Sequence, residues 1–91
     1  MHYTYILQSL KNKRNYIGST DNLKRRVKEH NDGVGSIYTK NNYPFKLIYY
    51  EAYLDKKDAT VAERFYKTGY AREILKGKLN FFLSTRNTQF S

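Results

Sequence analysis

The stretch NYIGSTDNLKRRVKEHN, residues 15–31, reads as a short strand, a turn and a helix. On a helical wheel at 100° per residue, Leu23 and Val27 form an i, i+4 apolar pair. Arg26 and His30 fall on that same face, whereas Lys24, Arg25, Lys28 and Glu29 point away from it. A helix with room for such side chains outside has turned an arginine and a histidine toward its packed side. The surface it packs on must therefore offer them something to meet.

Working outward, HYTYILQ (2–8) alternates and is rich in β formers, which predicts a strand. SLKNKRN (9–15) is a polar connection, and YIG (16–18) resumes an extended stretch that stops at Gly18, so the first two strands form a hairpin. STDNL supplies helix-start chemistry, with Thr20 or Asp21 as N-cap. That helix runs to about Asp32, before Gly33. GVGSIYTKNNYP (33–44) reads as a loop, long enough to suggest function or mobility. FKLIYYEAYL (45–54) is the most apolar stretch and reads as the central strand. DKKDATVAERFYKTG (55–69) is a helix capped by Asp55 or Asp58, and YAREILKGKL (70–79) is a second, short one. The order β-β-α-β-α-α gives an α+β (α/β) fold, a small three-stranded antiparallel sheet flanked by helices. With no repeat and no linker, residues 1–79 form one domain and residues 80–91 a loose tail.

The 91 residues suit one domain with a modest core. Ten Tyr and five Phe make up much of that core, and tyrosine packs its ring while keeping a hydroxyl for a partner. The absence of cysteine excludes disulfides, thiolate zinc sites and Cys nucleophiles. No apolar run approaches the roughly 20 residues of a membrane span, and MHYTYILQSLKNKRN turns polar too soon for a signal peptide. A soluble, cytoplasmic protein without a membrane partner is the expectation. Lys plus Arg number 17 against 8 Asp plus Glu, a formal charge of +9, which points to a polyanion, with nucleic acid first.

YTY (3–5), the 15–31 stretch and AERFYKTG (62–69) together resemble the GIY-YIG nuclease domain, and more narrowly its small standalone members. The resemblance spans about residues 3–79, and its specific core is YIGST.NL..R...H. It implies a three-stranded antiparallel sheet flanked by helices and cleavage of phosphodiester bonds with one divalent metal ion, Mg²⁺ or Mn²⁺. The family's second motif tyrosine matches Tyr16 and its first matches Tyr5, eleven residues earlier, although Tyr3 and Thr4 stand where many members have Gly and Ile. Its arginine matches Arg26, ten residues past Tyr16, and the helix histidine of a subset matches His30. Its metal-binding glutamate matches Glu63. Two departures bear on rate and proton route. Leu75 stands where several members have asparagine, the nearest Asn being Asn80, and Ser19 stands where some have a cation.

The chemistry is consistent with that assignment. Phosphodiester hydrolysis needs an activated water, stabilisation of phosphoryl charge and help for the leaving alkoxide. Mg²⁺ keeps most of its waters and binds through one or two carboxylates, which suits Glu63. Arg26 offers a rigid fork of donors for phosphate oxygens. A free tyrosine, with a pKa of about 10, serves as base only if cations lower it. The resemblance favours Tyr5 as base with His30 relaying the proton, and Tyr16 positioning water or phosphate; the two tyrosine roles can be exchanged. A hairpin centred on Leu10 and Lys11 sets Tyr5 opposite Tyr16, on the sheet face that receives Arg26 and His30. Gly18 lets a substrate approach the backbone, and Lys40 and Lys46 are candidates for diffuse phosphate contact, as are Arg72 and Lys76. DNA is favoured over RNA, with little sequence specificity. The competing readings are a non-catalytic nucleic-acid-binding module on the same fold and a basic ribonucleoprotein component. Singly, each site residue has an ordinary reading: packed tyrosines, a snorkelling Arg26, a helix-end His30, a Glu63–Lys67 pair. Their joint spacing argues for a site.

Overall fold

HYTYILQS builds the strand around which everything else is arranged. In the computed structural model, which describes residues 1–71, 73, 74 and 77, β1 spans His2–Ser9 and β2 spans Asn15–Thr20. Helix α1 covers Leu23–Asn31, α2 Ile37–Asn42, β3 Phe45–Tyr53 and α3 Lys56–Tyr66. The sheet is antiparallel throughout, in the order β2-β1-β3.

The central strand is therefore β1, not the 45–54 stretch. Thr4, Tyr5, Ile6 and Leu7 are consecutively buried, because both faces of β1 are covered. On one face Tyr5, Leu7 and Phe45 pack with Tyr16, Leu23 and Val27 of α1. On the other, Ile6 and Ile17 pack with Tyr66 and Ala62 of α3, and Thr4 Oγ1 donates to the Ala59 carbonyl at 2.6 Å. Part of the apolar count of β3 comes from Tyr49 and Tyr53, which use their hydroxyls. Tyr49, Tyr53 and Tyr66 all donate to the Glu51 carboxylate, at 2.6, 2.5 and 2.6 Å. That strand lies at the edge.

The hairpin register differs from the expected one. Tyr5 pairs with Gly18 and Tyr16 with Leu7, so the two tyrosines are diagonal neighbours on one face. The hairpin is centred between Lys11 and Asn12 rather than on Leu10 and Lys11. Ser9 Oγ accepts from the Lys11 and Asn12 amides at 3.1 and 3.2 Å, and Lys13 takes a left-handed φ of 65°. The N-cap of α1 is Asn22, whose side chain accepts from the Arg25 amide at 3.0 Å, rather than Thr20 or Asp21. Thr20 instead ends β2, and Asp21 pairs with Arg25 at 3.2 Å. Asp55 caps α3.

The segment 33–44 is not all loop. Ser36 and Thr39 form a capping box and start α2. At its far side Asn31 braces α1 to β3, donating to the Phe45 carbonyl at 3.1 Å and accepting from the Phe45 amide at 2.6 Å. Helical conformation resumes at residues 69–71. Otherwise the expected 70–79 helix is described only at residues 73, 74 and 77, and the 80–91 tail lies outside the described residues.

Candidate active site

Leu23, Arg26, Val27 and His30 recur at i, i+3, i+4 and i+7, so α1 lays all four toward the sheet. His30 is fully buried there. Its Nε2 lies 2.9 Å from the Tyr5 hydroxyl and its Nδ1 lies 2.8 Å from Thr39 Oγ1. The Tyr16 ring is 5.0 Å from the His30 ring, centroid to centroid. The interior polar residues of α1 thus meet partners that β1, β2 and α2 bring to them.

Donor counting orients this chain of bonds. The Arg26 guanidinium, which offers only donors, lies near enough to the Tyr5 oxygen to favour its anion, an arrangement that turns the Tyr5 O–H toward His30 Nε2. The ring hydrogen then sits on Nδ1 and is donated to Thr39. Thr39 Oγ1 also accepts from the Ser36 amide at 2.9 Å and can donate to the Ser36 carbonyl at 3.3 Å. Burial pushes the His30 imidazole down to about 4, with Arg26 adding to the effect, so it is neutral at pH 7. Burial pushes the Tyr5 hydroxyl up to about 12, against the opposing pull of Arg26. A neutral acceptor and a protonated phenol thus share a bond of ordinary length, and burial outweighs Arg26, so the lowered tyrosine pKa expected of a base is not found at Tyr5.

Two glycines make room for this arrangement. A Cβ on Gly18 would lie 2.5 Å from the Tyr5 hydroxyl oxygen. The space at Gly18 is filled by Tyr5, not left to a substrate. A Cβ on Gly35 would lie 2.0 Å from His30 Nδ1, so the histidine ring rests directly on the Gly35 backbone. Arg26 secures that backbone too, donating to the Gly35 carbonyl at 3.4 Å, and pairs with Glu29 at 3.3 Å.

Glu63 approaches from the opposite layer. Ala59, Ala62, Glu63 and Tyr66 form the inward face of α3. The Glu63 carboxylate accepts from Ser19 Oγ and from Lys67 Nζ, both at 2.7 Å. Burial opposes its ionisation, but Lys67 and Ser19 outweigh burial and hold it below the usual carboxylate range. Its charge is close enough to Tyr5 to resist ionisation of that hydroxyl. With 22% of its side chain exposed, Glu63 is an anionic ligand with access to water. Among the described residues no group of three or more His, Cys, Asp or Glu could hold a metal ion. One ionised carboxylate still fits Mg²⁺, which keeps most of its waters.

A polar hollow opens where β1 begins and β2 ends, near α1 and α3. His2, Ser19, Arg25, Arg26, Glu29 and Lys56 line it. Neither Lys40, exposed on α2, nor Lys46, exposed on β3, lines this hollow. Its cations are Arg25, Arg26 and Lys56, and the last was not legible in the sequence because nothing marked it from neighbouring lysines. Gly35, Ser36 and Thr39 were also missed. A capping-box search that admitted Thr at N3 would have found the last two. Arg72 and Lys76 lie outside the described residues.

Comparison with known proteins agrees with this architecture. The GIY-YIG catalytic domain family matches residues 1–79. A UPF0213 protein of Clostridium perfringens is 42% identical over 67 residues, covering 74% of this chain and 71% of that protein. One from Streptococcus agalactiae is 36% identical over 74 residues, 81% of this chain and 80% of its own. The solution NMR structure of a Bacillus halodurans UPF0213 protein superposes with a TM-score of 0.52 at 35% identity, covering 84% of this chain and 82% of that one. The three-stranded antiparallel sheet between helices, the paired tyrosines and the extent of these matches lead to one assignment: the chain belongs to the GIY-YIG catalytic domain family, among its small UPF0213 members.

Proposed function

We propose that this protein hydrolyses phosphodiester bonds in DNA with one divalent ion, Mg²⁺ or Mn²⁺, and with little sequence specificity of its own. The observation that carries the reading is the buried Tyr5–His30–Thr39 chain, flanked by Arg26 and within the field of Glu63. In this reading a phosphate enters the hollow, and Arg26 holds two of its oxygens through the guanidinium fork. Arg25 and Lys56 neutralise the flanking phosphates. Water gives a proton to the Tyr5 oxygen while the Tyr5 proton passes to His30 Nε2. The hydroxide bonds to phosphorus and the bond to the leaving alkoxide breaks. Thr39 keeps Nδ1 protonated, so that Nε2 stays the acceptor. Tyr16 packs on the His30 ring and positions the attacking water or the phosphate. Glu63, oriented by Ser19, is the carboxylate for the metal ion. When bound, that ion supplies Lewis-acid polarisation and charge neutralisation at the phosphate.

A second reading, a binding module without catalysis, is favoured by one feature. The Lys67 ammonium occupies the Glu63 oxygen that a metal ion would need. Cleavage of end-labelled DNA in Mg²⁺ or Mn²⁺ by wild type and Tyr5→Phe separates the two. The hydrolytic reading expects wild-type cleavage and a loss of about 10²-fold or more in Tyr5→Phe. The phenyl ring still fits against Gly18, so the variant folds. Salt-sensitive binding without cleavage in either metal would leave the module. An unchanged rate in Tyr5→Phe would remove Tyr5 from the chemistry.

A further inference from the structure

A second groove lies beside the hollow, on the α1 face of the sheet. Its walls are Tyr3, Leu23, Val27, Leu47 and Tyr50, with Lys24 at its rim. The helix–sheet seam is only half closed here. Leu23 and Val27 are half-buried, Leu47 is 36% exposed and Tyr50 52% exposed. Tyr50 is the cross-strand partner of Tyr5, so its backbone lies one strand spacing from the candidate base. The two rings diverge. Tyr5 turns into the core, while Tyr50 stands at the edge strand with its ring 6.1 Å from Tyr3, edge to face at 64°. Asp21 lines both the groove and the hollow, so the two are contiguous.

We propose that Tyr50, backed by Tyr3 and Leu47, is a stacking platform for one unpaired base next to the scissile phosphate, and that single-stranded DNA is the preferred substrate. This rests on the nuclease reading and specifies its substrate. The groove is apolar on its floor and carries one cation, Lys24, at its rim, where the one carboxylate, Asp21, is already paired with Arg25 of the hollow at 3.2 Å. That combination suits a flat base attached to an anionic backbone, and stacking on tyrosine is tolerant of base identity. In a duplex the neighbouring base pairs cover each base face, so only an unpaired base can lie on Tyr50. A second copy of this chain is disfavoured, since both carry a charge of +9.

The test is binding without metal, in EDTA, so that cleavage does not intervene. A single strand carrying 2-aminopurine and a blunt duplex of the same sequence are titrated with wild type, Tyr50→Ala and Tyr50→Phe. The platform predicts tighter binding of the single strand, with 2-aminopurine emission quenched. Tyr50→Ala should weaken single-strand binding by about fivefold or more, matching the cost of one stacked base, and restore emission. Duplex affinity should change less than twofold, and Tyr50→Phe should bind the single strand as wild type does. Equal losses on both DNAs, or none on the single strand, would overturn the proposal while leaving the nuclease reading intact. So would a wild-type dimer that Tyr50→Ala disperses in sedimentation without changing DNA affinity. Failure of wild type to bind either DNA would overturn both.

Discussion

His30 is the most constrained side chain of the site: fully buried, bonded at both nitrogens and seated on a glycine. Its pKa is pushed down to about 4 in the folded protein from 6.5. Between those values the unfolded chain binds a proton that the folded one does not, so stability rises with pH across that window. The protein should therefore lose up to about 3 kcal/mol as pH falls from 6.5 to 4. Denaturant melts of wild type and His30→Gln across that range check this, the variant showing the shallower slope. Gly35→Ala is expected to cost about 2 kcal/mol or more, because its Cβ would meet the His30 ring and the short loop behind it must shift. Urea melts measure it. Arg26 and His30 were legible from the wheel because a polar residue at a packing position is anomalous. Gly35 was not, since nothing in a sequence says which ring a glycine will lie under.

At the scale of elements, the site depends on how the segment after α1 returns to the sheet. Residues 33–44 read as a loop because glycines and asparagines dominate them, yet a Ser–Thr capping box starts α2 and delivers Thr39 to His30. Asn31 holds the return through two hydrogen bonds to Phe45. Asn31→Ala should cost about 1–3 kcal/mol and raise amide exchange in α2 and at the start of β3 more than in β2. Strand positions were legible from composition, but strand order was not. Two tyrosines that add to the apolar count of the 45–54 stretch, Tyr49 and Tyr53, turn their hydroxyls to Glu51, where Tyr66 joins them from α3. The diagonal placement of Tyr5 and Tyr16 was likewise set by the left-handed residue at Lys13, which no pattern announced.

Across the whole molecule, the residues that the motif spacing names lie in two layers. Tyr5, Tyr16 and His30 meet under α1, whereas Glu63 reaches Ser19 from α3, and of the five only Arg26 lines the hollow. The charge of +9 pointed to a polyanion partner, but the exposed lysines offered by the sequence, Lys40 and Lys46, are not the ones at the hollow. In the proposed reaction Glu63 serves chemistry rather than only pairing with Lys67. Cleavage of labelled single-stranded DNA in Mg²⁺ by wild type and Glu63→Gln, with binding measured on the same preparations, tests it most directly. Cleavage by wild type that falls by about 10³-fold in Glu63→Gln, with affinity kept within twofold, is the predicted result. Equal cleavage rates for the two proteins would contradict the account.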